Sequence, residues 1–398
     1  MQVVSKVNAL FVTATICLTL AQAGIARAES FADYVDGLRS LAIERGITDE
    51  VFNAATKGLK RNGKIVALTQ RQPESTTAIP QYLSKRVTNG LINAGRSHAE
   101  KLRSLGSQIE VRFGVPFEIV LAIWGVETNY GGYTGRSDTL QSLATLGHAR
   151  YRDDFFEQQF LDAIVLMQRE GVSRAQMRGS WAGAVGQVQF MPSSYLAHAV
   201  DFDGDGKRDL WNSLPDALGS AAHYLQQNGW QPNLPWGFHV ALPEGFKVRT
   251  ATFSLTEWAG AGVKLSSGKG LPARGAQSYT LFFPEGHEGP AFLMSANYEA
   301  LKSYNFSDLY FFSVVSLAEQ IAGRRPSFAT AWIGAKPLFK RDRVAMQEKL
   351  AALGYTPPSF DGRISLAMRE VLARYQSDNG LIVDGHPDAE LLAHIMKK

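Results

Sequence analysis

Residues 113–132 read FGVPFEIVLAIWGVETNYGG. After Pro116, the residues Ile119, Ile123 and Glu127 fall four apart, with Val120 and Trp124 on the flanking rows. The spacing predicts a helix whose apolar face ends in a carboxylate. Asn129, Gly131 and Gly132 then break the pattern and leave Glu127 in the last turn, beside a wet, flexible loop. A carboxylate at the end of an apolar stripe is partly desolvated, which favours its protonated form and suits a general acid working near neutral pH. A Glu turned to solvent, or paired with an arginine, has the same local pattern, so the rest of the chain must decide.

The chain has 398 residues, enough for two or three domains with ample cores, and its 45% hydrophobic and 20% charged content is that of a soluble globular protein. Its N-terminus differs. Lys6 precedes an apolar run from Val7 to about Ala23, and Ala26-Arg27-Ala28 is a small-x-small cleavage pattern, so residues 1–28 read as a signal peptide cut near Ala28 and the mature protein as exported. Ile16 before Cys17 does not suit lipid attachment, and removal of the leader takes away the chain's single cysteine, leaving no disulfide. Loss of Lys6 and Arg27 brings the basic count from 41 to 39 against 37 acidic residues, so there is no electrostatic case for nucleic acid.

Upstream of the organising helix, Phe31, Tyr34, Leu38 and Leu41 have helical spacing, and Thr48-Asp49-Glu50 opens a second helix with only an approximate capping signal. Residues 70–79 are polar and contain proline. Residues 82–109 resume as helix, with Lys85, Arg86, Arg96, Lys101 and Arg103 on a solvated side. Downstream, helices are expected over 140–146 and 155–170, joined by the basic and aromatic stretch His148-Ala149-Arg150-Tyr151-Arg152. Residues 180–195, SWAGAVGQVQFMPSSY, combine small residues with Gln187, Gln189, Ser193, Ser194, Trp181, Phe190 and Tyr195. Polar groups beside flat apolar faces suit a sugar, and the small residues alone would equally fit a tight helix contact.

Residues 201–212, DFDGDGKRDLWN, fit a twelve-residue calcium loop. Asp201, Asp203, Asp205 and Asp209 fall at positions one, three, five and nine, Gly206 at six, and Lys207 at seven, where only its carbonyl is needed. Asn212 gives one neutral oxygen where the pattern wants a bidentate carboxylate, which implies weaker binding or another ion, Na+ rather than Ca2+. The other reading is an acidic turn without metal, and four Asp side chains would then repel one another. With a metal the site is structural.

After a helix over 214–228, residues 231–295 break into short runs at 237–242, 279–283 and 291–294, the strands of a small antiparallel sheet set into a helical domain. Helices return at 298–304 and 312–322, with Tyr304, Asn305 and Tyr310 between them. Residues 334–340 read as a linker, and 341–398 as a separate unit whose helices, 341–353 and 364–378, are each followed by a glycine turn and an Asp-Gly pair. Sixty residues without an acid–base cluster suit a binding module with two related halves. The class is therefore α+β, mainly α.

WGVETNYG around Glu127, GAVGQVQFMPSSY from Gly183, the Asp-rich loop, and Asn297 with Tyr304-Asn305 and Tyr310 occur in the order found in exported lytic murein transglycosylases of the B type, which residues 30–330 resemble. The tail is similar to the three-helix peptidoglycan-binding module, on Gln347, Leu350, Gly354, Asp361-Gly362, Tyr375-Gln376, Gly380-Leu381 and Asp384-Gly385. The resemblance implies a lysozyme-like catalytic domain over 29–333 that acts in the periplasm as a monomer on peptidoglycan glycan strands, alongside cell-wall synthesis or remodelling proteins and with no cofactor for chemistry. It implies that Glu127 protonates the leaving oxygen of the bond from N-acetylmuramic acid to N-acetylglucosamine, then takes the proton of the C6 hydroxyl as a 1,6-anhydro ring closes. Ser180, Gln189, Tyr304, Asn305 and Tyr310 would line the groove, and Arg152 would touch the glycan or its peptide. The rival readings are a hydrolytic muramidase, needing a second carboxylate such as Asp138 or Asp153 about 5–10 Å away, and a non-catalytic wall-binding protein. A zinc amidase fits less well, since the eight histidines form no His-Glu-x-x-His.

Overall fold

The helix predicted around Glu127 runs Phe117–Thr128, and it is enclosed nearly all round instead of along one stripe. Of its residues only Glu118 and Glu127 escape burial. A helix apolar on every side can be stable only as the centre of a core, and helices Asn89–Lys101, Arg103–Phe113, Leu214–Gln227 and Asp308–Ile321 pack around it. Its first N–H is taken by a neighbouring side chain, Phe117 N donating to Glu110 Oε1 at 2.8 Å. At the other end Asn129, with φ of 53°, turns left-handed, and the N–H groups of Asn129 and Tyr130 return to the carbonyls of Gly125 and Trp124.

The structure is a computed structural model that describes residues 29–69, 77–247, 251–272 and 276–398. The leader and its cleavage site lie outside the described residues. Among these residues no helix is long and apolar enough to cross a membrane. The N-terminal part is all helical: Phe31–Gly37, Arg39–Glu44 and Asp49–Thr56, the last capped by Thr48, which accepts from Val51 N at 3.3 Å. The single helix expected over 82–109 is instead three, Ile79–Arg86, Asn89–Lys101 and Arg103–Phe113. Thr88 caps the second by accepting from Leu91 N, and Leu102 leaves helical geometry between the second and third. Helices Thr139–His148 and Phe155–Glu170 form within two residues of their expected bounds and pack on one another.

The insertion folds as a five-stranded antiparallel sheet in the spatial order Thr252–Ser254, Ser278–Phe282, Ala291–Met294, Gly237–Ala241, Lys264–Leu265. The three central strands are those expected from the sequence. The two edge strands and the intervening helix Leu255–Gly260, opened by a Ser254–Glu257 capping box, were not, because two or three residues show no alternation. The sheet has its own core around Leu234, Trp258, Tyr279 and Leu293. Asn297 is fully buried and pins the start of the insertion through Gln231 N, Gln231 O and Leu234 O, so its part is structural.

The C-terminal unit consists of helices Lys340–Ala352, Leu366–Asp378 and Ala389–Lys397 around Met346, Leu350, Met368, Leu372, Tyr375 and Ile395. Its two halves do echo each other. Gln347 accepts from Gly362 N, and Gln376 accepts from Gly385 N, each at 2.8 Å, so a buried amide in each half grips the Asp-Gly turn that follows it. The segment before the unit is held down: Ile333, Gly334 and Ala335 donate their backbone N–H groups to the buried carboxylate of Glu285 at 2.8–3.1 Å.

Candidate active site

Glu127 sits where the central helix ends, half-buried, and three devices fix the backbone around it. Thr128 donates its hydroxyl to Gln187 O at 2.7 Å and accepts from Gly131 N at 3.0 Å. Trp124 Nε1 donates to Gln187 Oε1 at 3.1 Å. Tyr130, left-handed at φ 57°, tucks its ring beneath the helix, and its hydroxyl donates to Leu91 O at 3.0 Å. Gly125 permits this approach, since a Cβ there would meet the Tyr130 ring at 2.7 Å. The last turn of the helix is thereby bolted to the tight turn 186–190 across from it.

That turn belongs to a short hairpin. Ser180 N donates to Ala184 O at 2.8 Å, and Ser180 Oγ accepts from Ala184 N at 3.0 Å, which leaves its O–H available to donate. Gln189, at φ 51°, donates Nε2 to both Thr134 O and Gly186 O at 3.0 Å, so the amide oxygen is what it can offer a ligand. Gly135, at φ 95°, lies so close to the hairpin that a Cβ would fall 2.0 Å from Gly179 O. Phe190 and Tyr195, which the sequence left open as flat faces for a sugar, are core residues at 2% and 0% exposure, and Ser193 Oγ accepts from Gln159.

The far wall is the Tyr304–Tyr310 segment. Tyr304 donates to Val188 O at 2.7 Å, and its ring lies parallel to that of Tyr310, 7° between planes and 6.3 Å between centroids. The Tyr310 hydroxyl is buried without a partner at standard hydrogen-bond geometry, and the group it addresses is the Glu127 carboxylate. Burial first, then the charge of Glu127, push both phenols well above their ordinary range, so each stays a neutral donor. Asn305 follows on the exposed rim, its Oδ1 accepting from Ser307 N at 3.2 Å.

Tyr304 and Tyr310 therefore stand beside Glu127, Gln189 belongs to the turn bolted to the same helix end, Ser180 lies on the hairpin that carries that turn, and Asn305 is next to Tyr304 on the exposed side. Arg152 is not drawn to the carboxylate. It stands on an exposed turn at φ 60°, its guanidinium 5.4 Å over the Tyr151 ring and its charge felt by Lys340 at the start of the C-terminal unit. Of the candidate second carboxylates, Asp138 is locked, capping Thr139–His148 through Gln141 N and gripped by Arg174 at 2.9 and 3.1 Å. Asp153 lies on the exposed turn with Arg152. Thr128, Gln187 and Trp124 are the residues that sequence reasoning did not commit to the site. Their partners lie about sixty residues away, and no local pattern announces such pairings.

In the Asp-rich loop, ligand atoms of Asp201, Asp203 and Asp205 lie within 4.8 Å of one another. Asp201 also accepts from Gly204 N and Gly206 N, and Lys207 N is satisfied by Asp205. Asp209 is not part of that cluster: Asn212 Nδ2 donates to Asp209 Oδ2 at 2.8 Å, and Asp209 Oδ1 accepts from Trp211 N and Asn212 N. Asp216, fully buried on the next helix, gathers the N–H groups of Phe202 and Asp209 and so shapes the loop from within. Behind the groove, Gln187 N donates to Leu210 O at 2.8 Å and Gln187 Nε2 to Trp211 O, so the loop braces the turn 186–190.

With this geometry in place, comparison with known proteins is informative. Residues 30–319 match the Transglycosylase SLT domain, and residues 340–395 a peptidoglycan binding domain. The chain is 30% identical over 279 residues to membrane-bound lytic murein transglycosylase B of Escherichia coli K12, spanning 66% of this chain and 75% of that protein. SltB3 of Pseudomonas aeruginosa, solved in complex with NAG-anhNAM-pentapeptide, is 36% identical, with a TM-score of 0.81 over 92% of this chain and all of that one. The Escherichia coli lytic transglycosylase Slt35, solved in complex with calcium, is 27% identical, with a TM-score of 0.62 over 75% of this chain and 94% of that one. The fold is thus the lysozyme-like one that the motifs implied, and the chain belongs to the Transglycosylase SLT domain family as a lytic murein transglycosylase of the B type.

Proposed function

We propose that Glu127 is the single acid–base group with which this lytic transglycosylase cuts the β-1,4 bond between N-acetylmuramic acid and N-acetylglucosamine. The observation that carries this reading is a half-buried carboxylate at a rigid helix end, addressed by the neutral phenol of Tyr310, while of the two sequence candidates for a second carboxylate Asp138 is bound to Arg174 and Asp153 stands on an exposed turn. As the bond from C1 breaks, Glu127 gives its proton to the leaving oxygen. The resulting carboxylate then takes the proton from the C6 hydroxyl of the same muramic acid while O6 attacks C1, and a 1,6-anhydro ring closes without water. Tyr310 steadies the carboxylate between its two proton transfers. Ser180, Gln189, Tyr304 and Asn305 hold the saccharide, and Arg152 meets glycan or stem peptide at the outer end. SltB3 was solved with NAG-NAM-pentapeptide and with NAG-anhNAM-pentapeptide, a pair related by this ring closure, which supports the reading.

The loop is read as a structural cation site, with Asp201, Asp203, Asp205 and the Lys207 carbonyl as donors and Ca2+ as the ion. Three converging carboxylates need a cation to offset their repulsion, and the Slt35 calcium complex supports the choice. The ion supplies charge neutralisation that stiffens the loop behind Gln187. The chain divides as a signal peptide over 1–28, a catalytic domain over 29–333, a connecting segment over 334–340 and a peptidoglycan-binding module over 341–398, and it acts in the periplasm. Replacing Glu127 by Gln tests the central assignment: with the fold retained, release of soluble fragments from purified sacculi falls by about 10²-fold or more. Activity near wild type would overturn it.

A further inference from the structure

The C-terminal module touches the catalytic domain at the segment that forms the far wall of the groove. Asp308 opens the helix Asp308–Ile321, two residues before Tyr310 and three after Asn305. Its carboxylate accepts from Tyr298 Oη at 2.7 Å and from Lys302 Nζ at 2.5 Å, both within the catalytic domain. The other oxygen accepts from Arg369 Nη2 of the module at 3.2 Å. Arg369 is only 4% exposed. Its guanidinium also donates to Phe283 O at 3.2 Å and lies 4.3 Å over the Phe282 ring. On the same segment the module's Arg363 sits 4.6 Å over the Phe306 ring, and Leu366 packs against the catalytic core.

Phe306 and Asp308 thus lie between Asn305 and Tyr310, and each is held by a module arginine. A flexible tether would allow neither contact, and the three backbone N–H groups gripped by Glu285 shorten the tether further. From this contact we infer that the docked module is part of the active site's scaffold, with Arg369 a positioning residue that fixes the Tyr304–Tyr310 wall through Asp308. A buried, hydrogen-bonded ion pair has one good geometry and loses several bonds at once when displaced, which makes it a suitable anchor for a catalytic wall. The module then has two parts to play: it holds the wall polymer, and it keeps Tyr310 against Glu127. The inference rests on the assignment of Glu127 and Tyr310 given above.

The test separates positioning from wall binding by using a soluble, peptide-free tetrasaccharide of alternating N-acetylglucosamine and N-acetylmuramic acid, with full-length protein. Arg369→Ala lowers kcat on this substrate about tenfold or more with KM changed less than about twofold, as displacement of a catalytic group does. Binding to insoluble sacculi is kept. Arg369→Lys recovers part of the loss, and Arg341→Ala, which removes an exposed module charge, has no effect. Because Arg369 acts through the wall, Arg369→Ala combined with Tyr310→Phe loses little more than Tyr310→Phe alone. Asp308→Asn gives the same kcat loss from the other side of the contact and serves if Arg369→Ala folds poorly. The inference is overturned if kcat is unchanged in a folded Arg369→Ala protein, or if it falls only in step with the unfolded fraction seen by circular dichroism. Glu127→Gln is run in parallel. If it stays active the catalytic assignment fails, whereas an inactive Glu127→Gln beside an unaffected Arg369→Ala removes only the positioning role.

Discussion

Replacing Thr128 by Val removes one hydroxyl at nearly constant volume from the residue that bolts the Glu127 helix to the opposite turn. Thr128 is 2% exposed, and its hydroxyl joins Gln187 O at 2.7 Å and Gly131 N at 3.0 Å. Trp124 O, 3.2 Å away, competes for the same proton but already has Tyr130 N as a long partner, so the shorter bond to Gln187 dominates. Valine strands the Gln187 carbonyl and the Gly131 N–H. A buried polar group left unpaired costs about 1–3 kcal/mol, and Gly131 retains some access to water, so the expected destabilisation is about 2–4 kcal/mol. For a domain of this size that corresponds to a fall in Tm of about 3–6 °C. The activity effect is separable, because freeing the 186–190 turn lets Gln189 and the Val188 anchor of Tyr304 drift from Glu127, and misplacement on that scale costs kcat about tenfold. Thermal melting by circular dichroism, with sacculus lysis measured well below Tm, reads both. Thr128→Ser is the control, keeping the hydroxyl and losing about 1 kcal/mol of packing. A Val variant as stable and as active as the Ser variant would refute the bolted-turn account.

Two further outcomes follow from the charged clusters. Burial works to raise the Asp308 carboxyl, but Lys302 and Arg369 outweigh it and hold the group at about 2, below its ordinary 3.8. A depressed carboxylate contributes stability that is complete above the unfolded value and is lost as pH falls through the folded one, here between about pH 4 and 2, and the shift corresponds to about 2 kcal/mol. Urea unfolding of wild type and Asp308→Asn at a series of pH values should show the acid limb flattened in the variant by about that amount; parallel curves would contradict the pairing. In the loop, millimolar CaCl2 should raise Tm, EGTA should reverse the rise, and Asp203→Asn should abolish it, since binding to the native state alone stabilises by mass action. A wild-type Tm indifferent to calcium would remove the calcium assignment.

Much of the helical frame around Glu127 was legible in the sequence because it is local. The spacing of Ile119, Ile123 and Glu127 gave the helix and its end, and helix Phe155–Glu170 appears with the expected bounds. Enclosure of the central helix on all sides was not legible, since the pattern of one helix does not count the helices around it. For Phe190 and Tyr195 the sequence left a stacking face and a tight packing contact equally open, and the tertiary fold decides for packing by burying both rings. In the Asp-rich loop, spacing alone set Asp209 and Asn212 with Asp201, Asp203 and Asp205, whereas the chain closes locally and pairs the two with each other. Arg152 and Arg369 show the limit most clearly. Both are ordinary arginines in sequence, yet one stands on an exposed turn and the other is buried against a carboxylate 61 residues away.

The central claim, that one carboxylate and the substrate's own C6 hydroxyl suffice, is tested most directly by digesting purified peptidoglycan in water enriched in oxygen-18 and weighing the soluble fragments. The account predicts muramic ends one water lighter than hydrolysed ones and free of the heavy isotope, made by wild type and absent with Glu127→Gln. Reducing muramic ends carrying oxygen-18 would contradict it, because they require a second group in the groove to activate water.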